Sequence, residues 1–174
     1  MRWFTCLFIG VLVVTDVLAA TQDAAFVAGL RERRLYDLAE EYGSERWRRE
    51  DLSERERAEL AIQLALVFTE QAQAAPPESR DALWAKADGA CAALIDGWPN
   101  NPRRRIVEVQ RALVSLARGE QARESRNLAA ALDHLRVATR GLSAVADGVG
   151  RELVERRLRP RGKLPPDDLS VQEL

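Results

Sequence analysis

The 174 residues hold one histidine, two cysteines and two lysines, and these shortages remove several chemistries at once. With His134 alone, no histidine cluster can hold a metal and no catalytic pair of histidines can form. Cys6 falls in an apolar leader-like run, which leaves Cys91 without a partner for an internal bridge or a zinc site. No glycine-rich phosphate loop and no nucleophile elbow occurs. Aromatic residues make up only 6% of the chain, and no stretch alternates β-branched with polar residues between turns, so strands are not expected. Neither sign of charge dominates. The 26 basic and 27 acidic residues nearly cancel, so no net field draws the chain to nucleic acid or to an anionic membrane.

What is abundant is alanine, leucine, arginine and glutamate, the residues of helices. All but two of the basic residues are arginine, a bias that fits a GC-rich genome better than arginine-specific recognition. Residues 1–20 read as a signal peptide: Arg2 is the positive start, residues 3–14 are mostly apolar, and Val17, Leu18 and Ala19 lead to a cleavage point after Ala19 or Ala20. With Asp16 inside it, the segment is too short and too polar for a lasting membrane span, so none is expected once it is removed. Export to the periplasm or cell envelope of a bacterium is the expected address.

Helical periodicity runs through residues 21–158. A first helix should be capped by Asp23 and turn Phe26, Val27 and Leu30 inward, and a tight turn at Arg33, Arg34 and Leu35 leads to a second with Leu38, Ala39 and Tyr42 inside. Ser53 and Glu56 form a capping box for a third helix. Leu60, Leu64, Val67 and Phe68 mark its apolar stripe, and Ile62 and Leu66 widen it to two buried sides. Pro76 and Pro77 stop that helix. A fourth, from about Glu78 to Gly97, should bury Leu83, Ala87, Ala90, Leu94 and Ile95.

After the break at Trp98, Pro99, Asn100, Asn101 and Pro102, a fifth helix capped by Asn101 places Ile106, Val109, Leu113 and Leu116 on its core stripe. Asn127 caps a sixth, whose near-heptad seam is Leu128, Leu132, Leu135, Thr139, Leu142, Ala146, Val149 and Leu153. Gly29, Gly89 and Gly141, inside helices, suggest close packing. Residues 159–174 read as a Pro/Arg-rich loop and, from Asp167, the start of a further helix.

The run Leu35, Tyr36, Asp37, Leu38, Ala39, Glu40, Glu41, Tyr42 resembles the turn into the second helix of a tetratricopeptide repeat (TPR), with Phe26 and Leu30 at the large apolar positions before it. A second partial match passes through Ala90, Leu94, Gly97 and Pro102. The resemblance covers residues 23–102. It implies an all-α chain of antiparallel helical hairpins, about six helices stacked as a TPR-like α-solenoid, that binds a peptide or helix in a groove.

No catalytic, metal-ligating or cofactor-binding residue emerges. His134 reads as a partly exposed surface residue, Cys91 as a small buried apolar one, and the pairs Glu40–Glu41 and Asp167–Asp168 as solvated surface, since adjacent helical residues point about 100° apart. Two basic clusters stand out: Arg46, Trp47, Arg48, Arg49, and Arg103, Arg104, Arg105. The second opposes the dipole of the helix it opens, by a few tenths of a kcal/mol. It is the candidate partner-facing patch, while Trp47, Trp84 and Trp98 read as packing residues at hairpin ends. The expectation is a non-catalytic protein–protein interaction scaffold. Its rivals are a docking arm for a catalytic domain beyond residue 174 and a self-assembling structural protein built on the seam of helix six.

Overall fold

The computed structural model describes residues 21–158, so the expected leader and the expected tail lie outside the described residues. Among the described residues the chain is all-helical: six helices and no strand, α1 (Gln22–Glu32), α2 (Tyr36–Trp47), α3 (Glu54–Ala74), α4 (Pro77–Gly97), α5 (Arg104–Glu124) and α6 (Leu128–Leu158). No helix among them is long and apolar enough to cross a membrane.

Local chemistry sets most of the boundaries. The Ser53 hydroxyl accepts from the Glu56 amide at 3.2 Å, and Glu56 accepts from the Ser53 amide at 2.7 Å, so the capping box is complete. Pro77 occupies the first position of α4, where its missing amide costs nothing. Asn127 accepts from the Ala130 amide at 3.2 Å. The α1–α2 and α5–α6 turns share one geometry. Arg34 and Arg126 sit at φ 59° and 60°, and the next amides, of Leu35 and Asn127, reach back to the carbonyls of Leu30 and Ala122. This is the Schellman closure, usually given to glycine at the left-handed position.

Asp23 is not a cap. Thr21 holds that position, and Asp23 stands in the first turn, facing α2. Its carboxylate accepts from the Tyr42 hydroxyl and from Arg46 Nε, each at 2.6 Å. Asn101 likewise caps at a distance: it accepts from the Arg103 amide at 2.8 Å and donates to the Glu54 carbonyl at 2.8 Å, and α5 starts only at Arg104.

The helices pack on α3, which touches α1, α2, α4 and α5. Polar ties fix the directions. Thr21 to Glu59 and Arg31 to Glu70 run α1 parallel to α3, while Arg103 to Glu59 and Gln121 to the Ala72 carbonyl run α5 parallel to α3. Each of these three has an antiparallel neighbour: α2 beside α1, α4 beside α3, α6 beside α5. The core lies along α3, where Leu60, Val67, Ala58, Ala61 and Ala65 are essentially buried, with Val27, Leu94, Cys91 and Val107 closing on it. Alanines between the leucines let helices approach. Gly43 of α2 goes furthest, since a Cβ there would stand 2.6 Å from Leu64 Cδ2.

Several expected core residues face outward. Phe26 is half exposed and meets the Tyr42 ring at a tilt of 58°, 4.6 Å between ring centroids, and Leu38 is as open. On α5 the buried stripe is Val107 and Val114, because α3 and α4 lie on that side, while Ile106 and Leu113 are exposed. On α6 the face against α5 is built of small residues: Ala131 and Ala138 are buried, and Gly141 brings α6 against Ala112, a Cβ there lying 3.1 Å from that of Ala112. Of the expected seam, Leu135 packs against Gly119 of α5, while Leu128, Leu132, Leu142, Val149 and Leu153 are turned to the flank. Gly89 and Gly29 are not close-packing sites either; around Gly89 nothing lies within 4 Å.

Two outcomes follow for stability. Gly43→Ala should cost about 1–3 kcal/mol through overpacking at Leu64, whereas Gly89→Ala should stabilise by about 0.5–1 kcal/mol by favouring helix. Urea denaturation of the two variants reads the opposite signs. The second outcome concerns acid. Burial by itself raises the Asp23 and Glu59 carboxyls, but hydrogen bonds from Tyr42 and Arg46 to the first, and from Thr21 and Arg55 to the second, outweigh it and hold both below their ordinary values. Their stabilisation is therefore complete above the unfolded-chain values of about 4 and is lost as pH falls through the lower folded values. Thermal melts should be level near neutrality and fall below about pH 4, and Asp23→Asn should lower the neutral melting temperature while flattening that fall.

Candidate functional site

Because α2 and α4 both rest on α3 with their backbones held apart, a groove opens between them. Its floor is Leu64 and Phe68 of α3. The α2 wall carries Glu40, Ser44, Trp47 and Arg48, and the α4 wall carries Lys86, Gly89, Ala90 and Ala93, around a volume of about 400 Å³. That is within the usual range for a site that takes a ligand or an anchoring side chain, about 300–1,000 Å³. The groove is open because α4 presents its smallest residues there: 86, 89, 90 and 93 share one helical face, and three of the four are glycine or alanine.

Lys86 spans the opening. Its ammonium lies 2.6 Å from Glu40 Oε1 and 5.3 Å from the centre of the Phe68 ring, so one cation joins both walls over an aromatic floor. Beside the groove, α2 carries an acidic lip of Asp37, Glu40, Glu41 and Glu45, bordering a second concavity of about 610 Å³ that shares Glu40, Ser44 and Arg48 with the first. An apolar floor under such a lip suits a partner that inserts an apolar side chain and carries basic residues next to it.

Trp47 closes one end. It meets Trp98 edge-on at 5.6 Å, and the Arg57 guanidinium lies 4.6 Å above the Trp98 ring. Arg57, itself buried, donates from Nη2 to the Arg49 carbonyl at 2.9 Å and fixes the end of α2. Trp84 is buried elsewhere, its Nε1 donating to Gln121 Oε1 at 2.9 Å. Trp47 and Trp98 thus pack together where α2 and α4 end, whereas Trp84 is a core residue two turns inside α4.

The arginine triad does not form one free cationic patch. Arg103 reaches Glu59 at 3.1 Å, Arg104 lies 2.9 Å from Glu108 and donates to the Pro99 carbonyl, and Arg105 pairs with Glu152 of α6. The misfit with the helix dipole is answered by three carboxylates on three helices. In the other cluster, Arg46 is held by Asp23 and Arg49 by Asp51, which leaves Arg48 to line the groove.

Among the described residues no group of three His, Cys, Asp or Glu side chains is placed to hold a metal ion. Burial first, and then Asp88, push the Cys91 thiol up to about 12, so it stays protonated at neutral pH. Burial, and then Arg118, lower the His134 imidazole, which is only partly covered. The sequence did contain a trace of the groove, in the small residues at 89, 90 and 93 opposite the acidic residues at 37, 40, 41 and 45. Periodicity drew attention to large apolar residues instead.

Comparison with protein-family models, curated proteins and solved structures returned no match.

The triad's structural share is measurable. Arg103 and Glu59 are both largely covered, so Arg103→Ala should cost about 1–2 kcal/mol. Arg105, paired in the open with Glu152, should cost under about 1 kcal/mol on the same change, both read by urea denaturation.

Proposed function

We propose that the chain is a non-catalytic, TPR-like interaction scaffold exported to the periplasm or cell envelope of a bacterium. Its work is to hold a peptide or helix that places an apolar residue in the α2–α3–α4 groove, with basic residues against the acidic lip. The observation that carries this is the open apolar groove itself, floored by Leu64 and Phe68 and walled by glycine and alanine. Parallel α1, α3 and α5, each with an antiparallel partner, support the reading as stacked hairpins. Arg104 and Arg105 keep more than a third of their side-chain surface or close to it in solvent and are proposed as a second contact, whereas Arg103 is committed to Glu59.

The test is purification of the tagged full-length protein from crosslinked cell envelopes, with co-purifying proteins identified by mass spectrometry. Gly89→Leu fills the groove from a position with free space around it, so the variant should fold normally and lose a partner that the native chain retains. Arg104→Glu with Arg105→Glu should weaken the same capture. A partner list unchanged by filling the groove would refute groove binding, and recovery of the chain from the cytosolic fraction alone would refute export.

A further inference from the structure

Six arginines tie one helix to another through a carboxylate, and Lys86 does the same across the groove. It is the only lysine among the described residues, and its ammonium stands 2.6 Å from Glu40 Oε1 on the opposite wall. The difference in chemistry matters there. A guanidinium forks onto a carboxylate and holds one geometry, as Arg111 does on Asp88. An ammonium is a hydrated point charge on a flexible stem. Of these ties, the one across the groove is therefore the easiest to undo.

What this tie covers is the floor. Phe68 and Leu64 line the groove, yet each keeps only 6% of its surface in solvent. The Lys86 ammonium lies 5.3 Å from the centre of the Phe68 ring, and both residues line the same opening. An apolar side chain that reaches the ring from the groove must move Lys86 aside. Room for that movement exists on α4. Gly89 and Ala90, one turn further on, carry nothing longer than a methyl, and nothing lies within 4 Å of where a Gly89 Cβ would stand. The Lys86 side chain is itself 49% exposed, so it swings into water without breaking the core.

Moving Lys86 leaves Glu40, whose side chain is only 30% exposed, without its cation. The surroundings do not replace it. Asp37, Glu41 and Glu45 add negative charge along α2, and among the described residues Arg48 is the only other cation lining either concavity. An occupant that carries lysine or arginine beside its apolar residue restores the balance as it enters. A neutral or acidic occupant does not.

We infer that Lys86 is a latch on the groove, held shut on Glu40 and over Phe68, and that the occupant opens it by setting its own basic side chain on Glu40. The inference rests on the groove reading of the proposed function and adds how that site selects. Exchange of one exposed ion pair for another costs a matching partner little, and a partner with no cation to exchange is the one the latch turns away.

Fluorescence anisotropy on the full chain tests this with short labelled peptides in which a central leucine is flanked by lysines, by serines or by glutamates. The native chain should bind the lysine peptide most tightly and the glutamate peptide least. Lys86→Ala removes an exposed side chain, so helicity by circular dichroism should be unchanged. It also opens the floor, so the serine peptide, which has no cation to exchange, should bind about five-fold more tightly. Lys86→Arg keeps the charge but forks onto Glu40 and should weaken binding of the serine and lysine peptides alike. Gly89→Leu should abolish binding of all the peptides, which places them in the groove. If it does, and the serine peptide binds the native chain and Lys86→Ala equally, the latch is overturned while the groove reading stands. If no peptide binds either chain, or Gly89→Leu leaves binding unchanged, the groove reading falls and the latch falls with it.

Discussion

Four helices share α3, and the rest of the molecule is arranged by that crowding. A helix can accept neighbours on several sides only if its side chains are apolar nearly all round and short enough, in places, for backbones to come close. α3 meets both conditions by setting Leu60, Leu64, Val67 and Phe68 among Ala58, Ala61, Ala65 and Ala72, all of them buried. Gly43 of α2 completes the fit by yielding its side chain to Leu64. The groove is a consequence of the same arrangement. α2 and α4 take separate places on α3, and Phe68 and Leu64 form the floor between them because no residue of α4 there is large enough to fill the gap.

The balance of charge has a local meaning as well as a global one. Six arginines act as ties between helices: Arg46 to Asp23, Arg31 to Glu70, Arg103 to Glu59, Arg111 to Asp88, Arg118 to Asp81 and Arg105 to Glu152. A forked guanidinium reaches a carboxylate on the next helix through two parallel bonds, as Arg111 does to Asp88 at 2.7 and 2.8 Å. Such pairs are individually weak where exposed, so they fix register more than they supply stability. Uncharged ties do the same under cover. The chain Trp84 to Gln121 to the Ala72 carbonyl links α4, α5 and α3.

Which parts of this were legible in the sequence depended on how local the governing physics is. The capping box at Ser53 and Glu56, the stop at Pro76 and Pro77 and the cap at Asn127 are decided within a few residues, and all stand where expected. The six-helix, strand-free architecture followed from composition and period. Asp23 was misplaced because its carboxylate has two long-range suitors, Tyr42 and Arg46, that a local reading does not weigh against capping. The groove was nearly invisible for a similar reason. It is defined by small side chains and by the distance between α2 and α4, two elements more than 40 positions apart at Glu40 and Lys86. The arginine triad stood out in the sequence as a local misfit, which the fold answers with carboxylates on α3, α5 and α6.

The misreading of α5 and α6 carries more information than the successes. Each of these helices has two stripes worth burying. α5 has Val107 and Val114 on one side and Ile106 and Leu113 on another; α6 has Ala131 and Ala138 on one side and its leucines on another. Periodicity favours the stripe of larger residues, and intramolecular packing chose otherwise in both cases. On α6 the choice has a clear cause. Helices joined by a short turn and held together along most of their length gain most from close backbone approach, which Gly119, Gly141 and Ala138 allow and leucines prevent. A helix with two apolar stripes about 100° apart needs two neighbours, and α3 shows what the chain does when they are present. Among the described residues α6 touches α5 alone. α6 therefore keeps a second apolar stripe that no helix among the described residues covers.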